Sequence, residues 1–150
     1  MRSAALAALA AAIGLASSAC ALAQPMSRAE YEVARRTVES DFRTARVGCE
    51  PMRANVRDIC IADVTGREGI RLAELEALYQ PGPGTLEGVR NAKAQAQLAL
   101  ARERCDDRGP NARESCLQGA EAASVAARAD APVPINAVKA NVRPGPADRR

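Results

Sequence analysis

Residues 49–60, CEPMRANVRDIC, and residues 105–116, CDDRGPNARESC, repeat one pattern at an offset of 56 positions. Both copies have Cys at each end, Asn at the seventh position and an Arg–acid pair at the ninth and tenth. Four cysteines arranged in this way are typical of a disulfide framework in a small exported chain. The duplication predicts one helical unit that is used twice, each copy closed by its own disulfide.

Signals for helix starts and breaks surround both copies. Ser27 and Glu30 form a capping box, which begins a first helix that runs toward Gly48. The stretch Pro81-Gly-Pro-Gly84 is the strongest break, so we expect two units at about residues 27–80 and 85–131. The predicted helix N-caps are Ser27, Asn55, Thr85 and Asn111.

Two disulfide pairings are compatible with this arrangement. The local pairing is Cys49–Cys60 with Cys105–Cys116, and the crossed pairing is Cys49–Cys116 with Cys60–Cys105. The crossed pairing requires a helical spacer between the cysteines of each copy, which Pro51 and Gly109-Pro110 disfavour. The local pairing is therefore favoured. A four-thiolate zinc site is disfavoured because the spacings are long and the chain has no His.

The first 23 residues have the form of a secretory signal. Arg2 precedes an apolar, Ala-rich run that is too short to span a membrane, and Ala21-Leu22-Ala23 has the form of a cleavage site. We expect cleavage after Ala23 and a periplasmic location, with no transmembrane segment in the mature chain. An alternative is a lipoprotein anchored through Cys20, which the preceding Ser17 fits poorly.

The C-terminal segment, residues 132–150, is rich in proline and poor in apolar residues. Such a composition is typical of disorder, because little apolar surface is available to offset the entropy of ordering. We expect a disordered tail whose proline spacing excludes helix and whose removal leaves the fold intact.

Composition argues against several classes of function. The 21 Lys and Arg residues against 18 Asp and Glu give a net charge of only +3, which is too balanced to indicate a nucleic-acid partner. The absence of His removes the commonest general base and both Ser–His and Cys–His nucleophile systems. The sequence therefore predicts no catalytic residues, no bound metal and no cofactor.

The stretch from Cys49 to about Ala129 resembles a family of small exported proteobacterial proteins that repeat Cys-x4-Gly-Asn-x-Lys/Arg-acid-x-Cys. The matching segments are residues 55–68, 73–79 and 101–107. Ala54 and Pro110 stand where the family has Gly. The resemblance implies an exported helical protein and brings no activity with it.

The predicted fold is all-α, with two disulfide-clipped helical hairpins, four helices in all, and a disordered C-terminal tail. The hairpins form either a compact bundle or an extended arrangement. The predicted function is that of a non-catalytic periplasmic protein that binds or supports a partner, either a protein or another envelope component. The alternative is a surface-associating module that contacts anionic lipid or cell-wall polymer through its Arg-rich faces and tail.

Overall fold

The computed structural model of the protein describes residues 25–130 and 134–142, and the predicted signal segment 1–23 lies outside them. Five helices and no strands occur in this described part. They are α1 (Arg28–Cys49), α2 (Ala54–Tyr79), α3 (Pro83–Asp106), α4 (Pro110–Ala129) and α5 (Ile135–Asn141). The all-α prediction is confirmed, with one helix more than expected.

The disulfides join Cys49 to Cys60 and Cys105 to Cys116, which confirms the local pairing. The Cα atoms are 5.7 Å apart in both pairs. Each disulfide clips the turn between two antiparallel helices, α1–α2 and α3–α4. Closing loops of this length stabilises a chain by about 3 kcal/mol each in the chain-entropy account.

The two hairpins pack side by side through α2 and α3. Extensive contacts join α1 to α2, α2 to α3 and α3 to α4, whereas α1 and α4 have no extensive contact in the described structure. The helices therefore form an open array in chain order, not a closed four-helix bundle and not two hairpins placed end to end. Because neighbouring helices are antiparallel, both disulfide-clipped turns lie at the same end of the array.

α1 contacts α2 near its start, in its middle and at its end. Near its start, the ring of Tyr31 stacks on Tyr79 with centroids 4.5 Å apart, and its hydroxyl donates a 2.8 Å hydrogen bond to Glu76. This hydrogen bond raises the pKa of Tyr31 above its usual value. In the middle of α1, Asp41 forms a 2.7 Å ion pair with Arg71. The Cys49–Cys60 disulfide then completes the attachment at the far end.

The apolar core is small and lies at the end of the array opposite the disulfides. Its buried members are Ala77, Val89 and Val138, and Ala73, Leu78, Leu86 and Ile135 pack against them. Val138 and Ile135 belong to α5, so this short helix closes the core.

The expectation that proline spacing excludes helix from residues 132–150 is wrong for residues 135–141. Pro134 occupies the N-cap position of α5 in extended backbone, so it precedes the helix and does not interrupt it. The Asn141 amide donates a 3.1 Å hydrogen bond to Glu74, which also pairs with Lys93 at 2.9 Å. The rest of the predicted tail, residues 132, 133 and 143–150, lies outside the described residues.

Of the predicted N-caps, only Ser27 is confirmed. Its hydroxyl accepts the Glu30 amide at 3.3 Å, and the Glu30 carboxylate accepts the Ser27 amide at 2.8 Å. The helices predicted to start at Asn55, Thr85 and Asn111 begin earlier, and their N-cap positions are Arg53, Gly82 and Gly109.

The physical reason for the earlier starts differs between the helices. Proline fits the first helical position, because its φ is preset and it has no amide donor to satisfy, and Pro83 and Pro110 take that position. Thr85 then lies at the third helical position, where its hydroxyl accepts the Gly82 amide at 3.1 Å. In α2 the first helical residue, Ala54, has a positive φ of 49°, which turns the chain into the helix one residue before Asn55.

The positive φ of Ala54 is a backbone conformation that favours glycine. A left-handed conformation costs an L-residue with a Cβ about 1–2 kcal/mol, and no other non-glycine residue of the described structure adopts one. The second copy has Pro110 here, in a helical conformation, so its turn follows a different path. The two clips therefore share a disulfide spacing and differ in backbone geometry.

We expect Ala54→Gly to raise the free energy of unfolding by about 0.5–1 kcal/mol, because the relief of strain exceeds the greater freedom of Gly in the unfolded chain. Urea denaturation followed by circular dichroism measures the change. The matched control is Ala123→Gly at an exposed position within α4, which should lower the free energy by about 1 kcal/mol. Equal losses in both variants would contradict the strain at Ala54.

We expect Val138→Ala to lower the free energy of unfolding by about 1–2 kcal/mol, because two fully buried methyl groups leave the core. Val125→Ala is the control, since Val125 is 67% exposed on α4 and its loss should change the value by less than about 0.5 kcal/mol. Urea denaturation gives both values. An unchanged midpoint for Val138→Ala would show that α5 does not dock in solution.

Candidate functional site

The turn between α1 and α2 is held in one conformation by covalent and backbone bonds. Cys49 is fully buried against its partner Cys60, and the Glu50 and Met52 amides donate 3.1 Å hydrogen bonds to the carbonyls of Val47 and Cys49. Only residues 50–53 lie between the two helices. The backbone that carries the side chains of this turn is therefore fixed by the disulfide and by these hydrogen bonds.

Three large apolar side chains are exposed at this turn. Val47 is 59% exposed, Met52 39% and Val56 62%. They are three of the five exposed large apolar residues of the described structure, and the other two, Val33 and Val125, lie at distant positions in α1 and α4. Single exposed apolar residues are ordinary on protein surfaces, whereas several together commonly mark an interaction site.

Four arginines occur in the same segment of the chain as these apolar residues. Arg43 and Arg46 come from the last turns of α1, while Arg53 and Arg57 come from the start of α2. All four are exposed, and none forms an ion pair in the described part of the chain. Together with the three apolar residues they form the tip surface: Arg43, Arg46, Val47, Met52, Arg53, Val56 and Arg57.

The position of two of these arginines does not help the fold. Arg53 is the N-cap of α2 and makes no side-chain capping bond, and Arg57 follows about one turn later. A helix N-terminus carries a partial positive charge, which favours acids and disfavours cations, and the first turn of α2 contains no acid. Residues placed against the preference of the local structure are commonly there for function.

The second clipped turn provides an internal comparison. Residues 43–60 contain four arginines and two acids, whereas the equivalent residues 99–116 contain four arginines and four acids. There Arg113 pairs with Asp106 at 2.8 Å and Arg102 pairs with Glu121 of α4 at 3.2 Å, and no large apolar side chain of the turn is exposed. The same clip thus supports an apolar, basic surface in one copy and a neutral, polar one in the other.

A second candidate is an open groove of about 630 Å³ between α2 and α3. Its walls are mostly small or polar side chains, contributed from Asp58 to Gly69 of α2 and from Ala92 to Glu103 of α3. Within this groove the two helices approach closely, since a Cβ on Gly66 would lie 2.8 Å from that of Ala96. No convergent set of buried polar groups lines it, so it has the features of a packing seam.

The buried carboxylate of Glu74 is a third candidate, and its contacts assign it to the fold. Glu74 is 3% exposed, and the same oxygen, Oε1, accepts Lys93 Nζ at 2.9 Å and Asn141 Nδ2 at 3.1 Å. These bonds join α2, α3 and α5. A buried charge that is paired and hydrogen-bonded in this way is a structural element of the core.

The sequence predicted Arg-rich faces but did not indicate that Arg43 and Arg46 of α1 lie at the same end of the array as Arg53 and Arg57. Elsewhere on α1, Arg35 binds Glu39 at 3.1 Å, and Arg28 lies 3.9 Å from Glu32. The signal that was available is the mixture of Arg, Val and Met across residues 43–57 on both sides of the first cysteine.

No described helix is long and apolar enough to cross a membrane. Within residues 25–130 and 134–142, no three His, Cys, Asp or Glu side chains gather into a set that could hold a metal ion. Comparisons of the chain with protein-family models, with curated proteins and with solved structures find no match.

We expect Gly66→Ala to lower the free energy of unfolding by about 1–3 kcal/mol, because the added methyl group pushes α2 and α3 apart. Gly69→Ala is the matched control, since nothing lies within 4 Å of its Cβ position, and it should stabilise the helix by about 1 kcal/mol. Thermal or urea unfolding measures both variants. Equal stabilisation in the two would contradict the close approach of α2 and α3.

Proposed function

We propose that this protein is a non-catalytic, disulfide-clipped binding protein of the cell envelope and that its partner contacts the tip surface. The observation that carries the proposal is the tip surface itself, in which three exposed apolar side chains and four arginines without ion pairs occur at the first clipped turn and in the adjoining ends of α1 and α2. Apolar residues surrounded by polar ones are the usual composition of a binding patch.

An envelope location agrees with the two disulfides, which form and persist in oxidising compartments. It also agrees with the form of residues 1–23 and with the resemblance to exported helical proteins. The non-catalytic assignment rests on the lack of His and on the character of the α2–α3 groove, which has no convergent reactive groups.

We expect a photoreactive phenylalanine analogue in place of Met52 to form a covalent adduct when producing cells are irradiated. The same analogue in place of Ser115, an exposed residue of α4 next to the second disulfide, should form none. Adding Arg53→Gln and Arg57→Gln should abolish the adduct at position 52, because these substitutions remove two charges of the tip surface. Gel mobility and mass spectrometry of the purified chain read out each case.

Equal adducts at positions 52 and 115 would contradict a binding role for the tip surface. So would the absence of any adduct from positions 52, 47 and 56 in turn. Circular dichroism of each purified variant provides the folding control, because these positions are exposed and their substitution should leave helix content unchanged.

A further inference from the structure

We propose that the partner of the tip surface is an anionic lipid membrane, into whose headgroup region Val47, Met52 and Val56 insert while the arginines bind lipid phosphates. This inference rests on the proposed function and names the chemistry of its partner. In the bound state the first clipped turn contacts the bilayer. The apolar core and α5, at the opposite end of the array, are directed away from the lipid.

The shape of the tip surface favours lipid over a protein partner. The residues lie on a turn at the end of a hairpin, and the cavities at the α2–α3 groove, along α1–α2 and beside Tyr31 include none of them. A folded protein partner would need a surface that is complementary in shape to this end of the hairpin. A lipid headgroup layer adapts to the side chains that enter it, so insertion requires no matching pocket.

The small size of the tip surface also favours a lipid partner over a protein. A stable protein interface engages about 20–30 residues on each side and commonly uses Trp, Tyr and Arg as its anchors. The tip offers three aliphatic or thioether side chains and no aromatic residue within residues 43–60. Peripheral membrane binding needs only a few inserted apolar groups together with several cations.

The four arginines of the tip surface are available to bind lipid phosphates. The guanidinium groups at positions 43, 46, 53 and 57 have no carboxylate partner in the described structure, and arginine binds phosphate oxygens in a bidentate manner. Two of them come from each helix, so they flank the apolar residues on both sides of the turn. Cations around an apolar centre match the phosphates that surround the acyl boundary of a bilayer.

The test is flotation of the purified, oxidised protein with vesicles of phosphatidylglycerol and phosphatidylethanolamine, compared with vesicles of phosphatidylcholine alone. We expect binding to the anionic vesicles only, and binding that weakens as salt is raised. Arg53→Gln with Arg57→Gln should weaken it about thirtyfold, from the usual contribution of a cation near an anionic surface. Met52→Gln with Val56→Thr should weaken it about tenfold by removing inserted apolar area.

Two matched controls should bind as the native chain does. Arg36→Gln with Arg128→Gln removes two exposed arginines that lie away from the disulfide end of the array, and Val125→Thr removes an exposed apolar residue of α4. Equal weakening by the controls would overturn the tip as the contact site. Binding that depends on the arginines and is indifferent to Met52→Gln with Val56→Thr would overturn insertion.

The outcome also separates this inference from the proposed function. If the vesicles are not bound while position 52 forms a crosslink to a protein in cells, the lipid inference falls and the binding role of the tip surface stands. If neither vesicle binding nor a position-dependent crosslink is found, both fall.

Discussion

Gly66 of α2 lies directly against Ala96 of α3, and the joining of the two hairpins depends on this close approach. α1 is fastened to α2, and α4 to α3, while α1 and α4 do not pack on each other in the described structure. The α2–α3 seam, together with the core and α5 at one end of it, therefore holds the two hairpins together. In a chain with few large side chains, close backbone approach supplies the dispersion contacts that bulky residues supply elsewhere.

The two ends of the array are stabilised in different ways. At one end, Val89 and Val138 form a small apolar core that α5 closes, with the hydrogen-bonded Glu74 beside it. At the other end, the fully buried Cys49 and Cys105 hold the helix pairs together covalently. Because the disulfides require little apolar packing, the surface at that end is free to carry side chains that add nothing to the core.

Freedom of this kind accounts for the difference between the two copies. Both clips have the same cysteine spacing and the same Cα separation, yet one presents Met52 and Val56 among unpaired arginines while the other pairs Asp106 with Arg113. The backbone differs as well, with a positive φ at Ala54 and proline at the equivalent position 110. The two copies of the unit thus share the clip and differ in the apolar and charged side chains that they expose.

The amino-acid sequence by itself determined the helical class, indicated a break near residues 81–84, which the structure places at residues 80–82, and favoured the observed disulfide pairing, because each depends on contacts between near neighbours in the chain. It did not locate the starts of three helices, since Asn55, Thr85 and Asn111 have good cap chemistry but the backbone at Ala54 and the prolines turns into helix earlier. Tertiary structure alone decided the rest. A seven-residue helix is unstable in isolation, so α5 forms only where Val138 meets Ala77 and Val89, and the tip surface exists only because the clipped turn brings together arginines of two different helices.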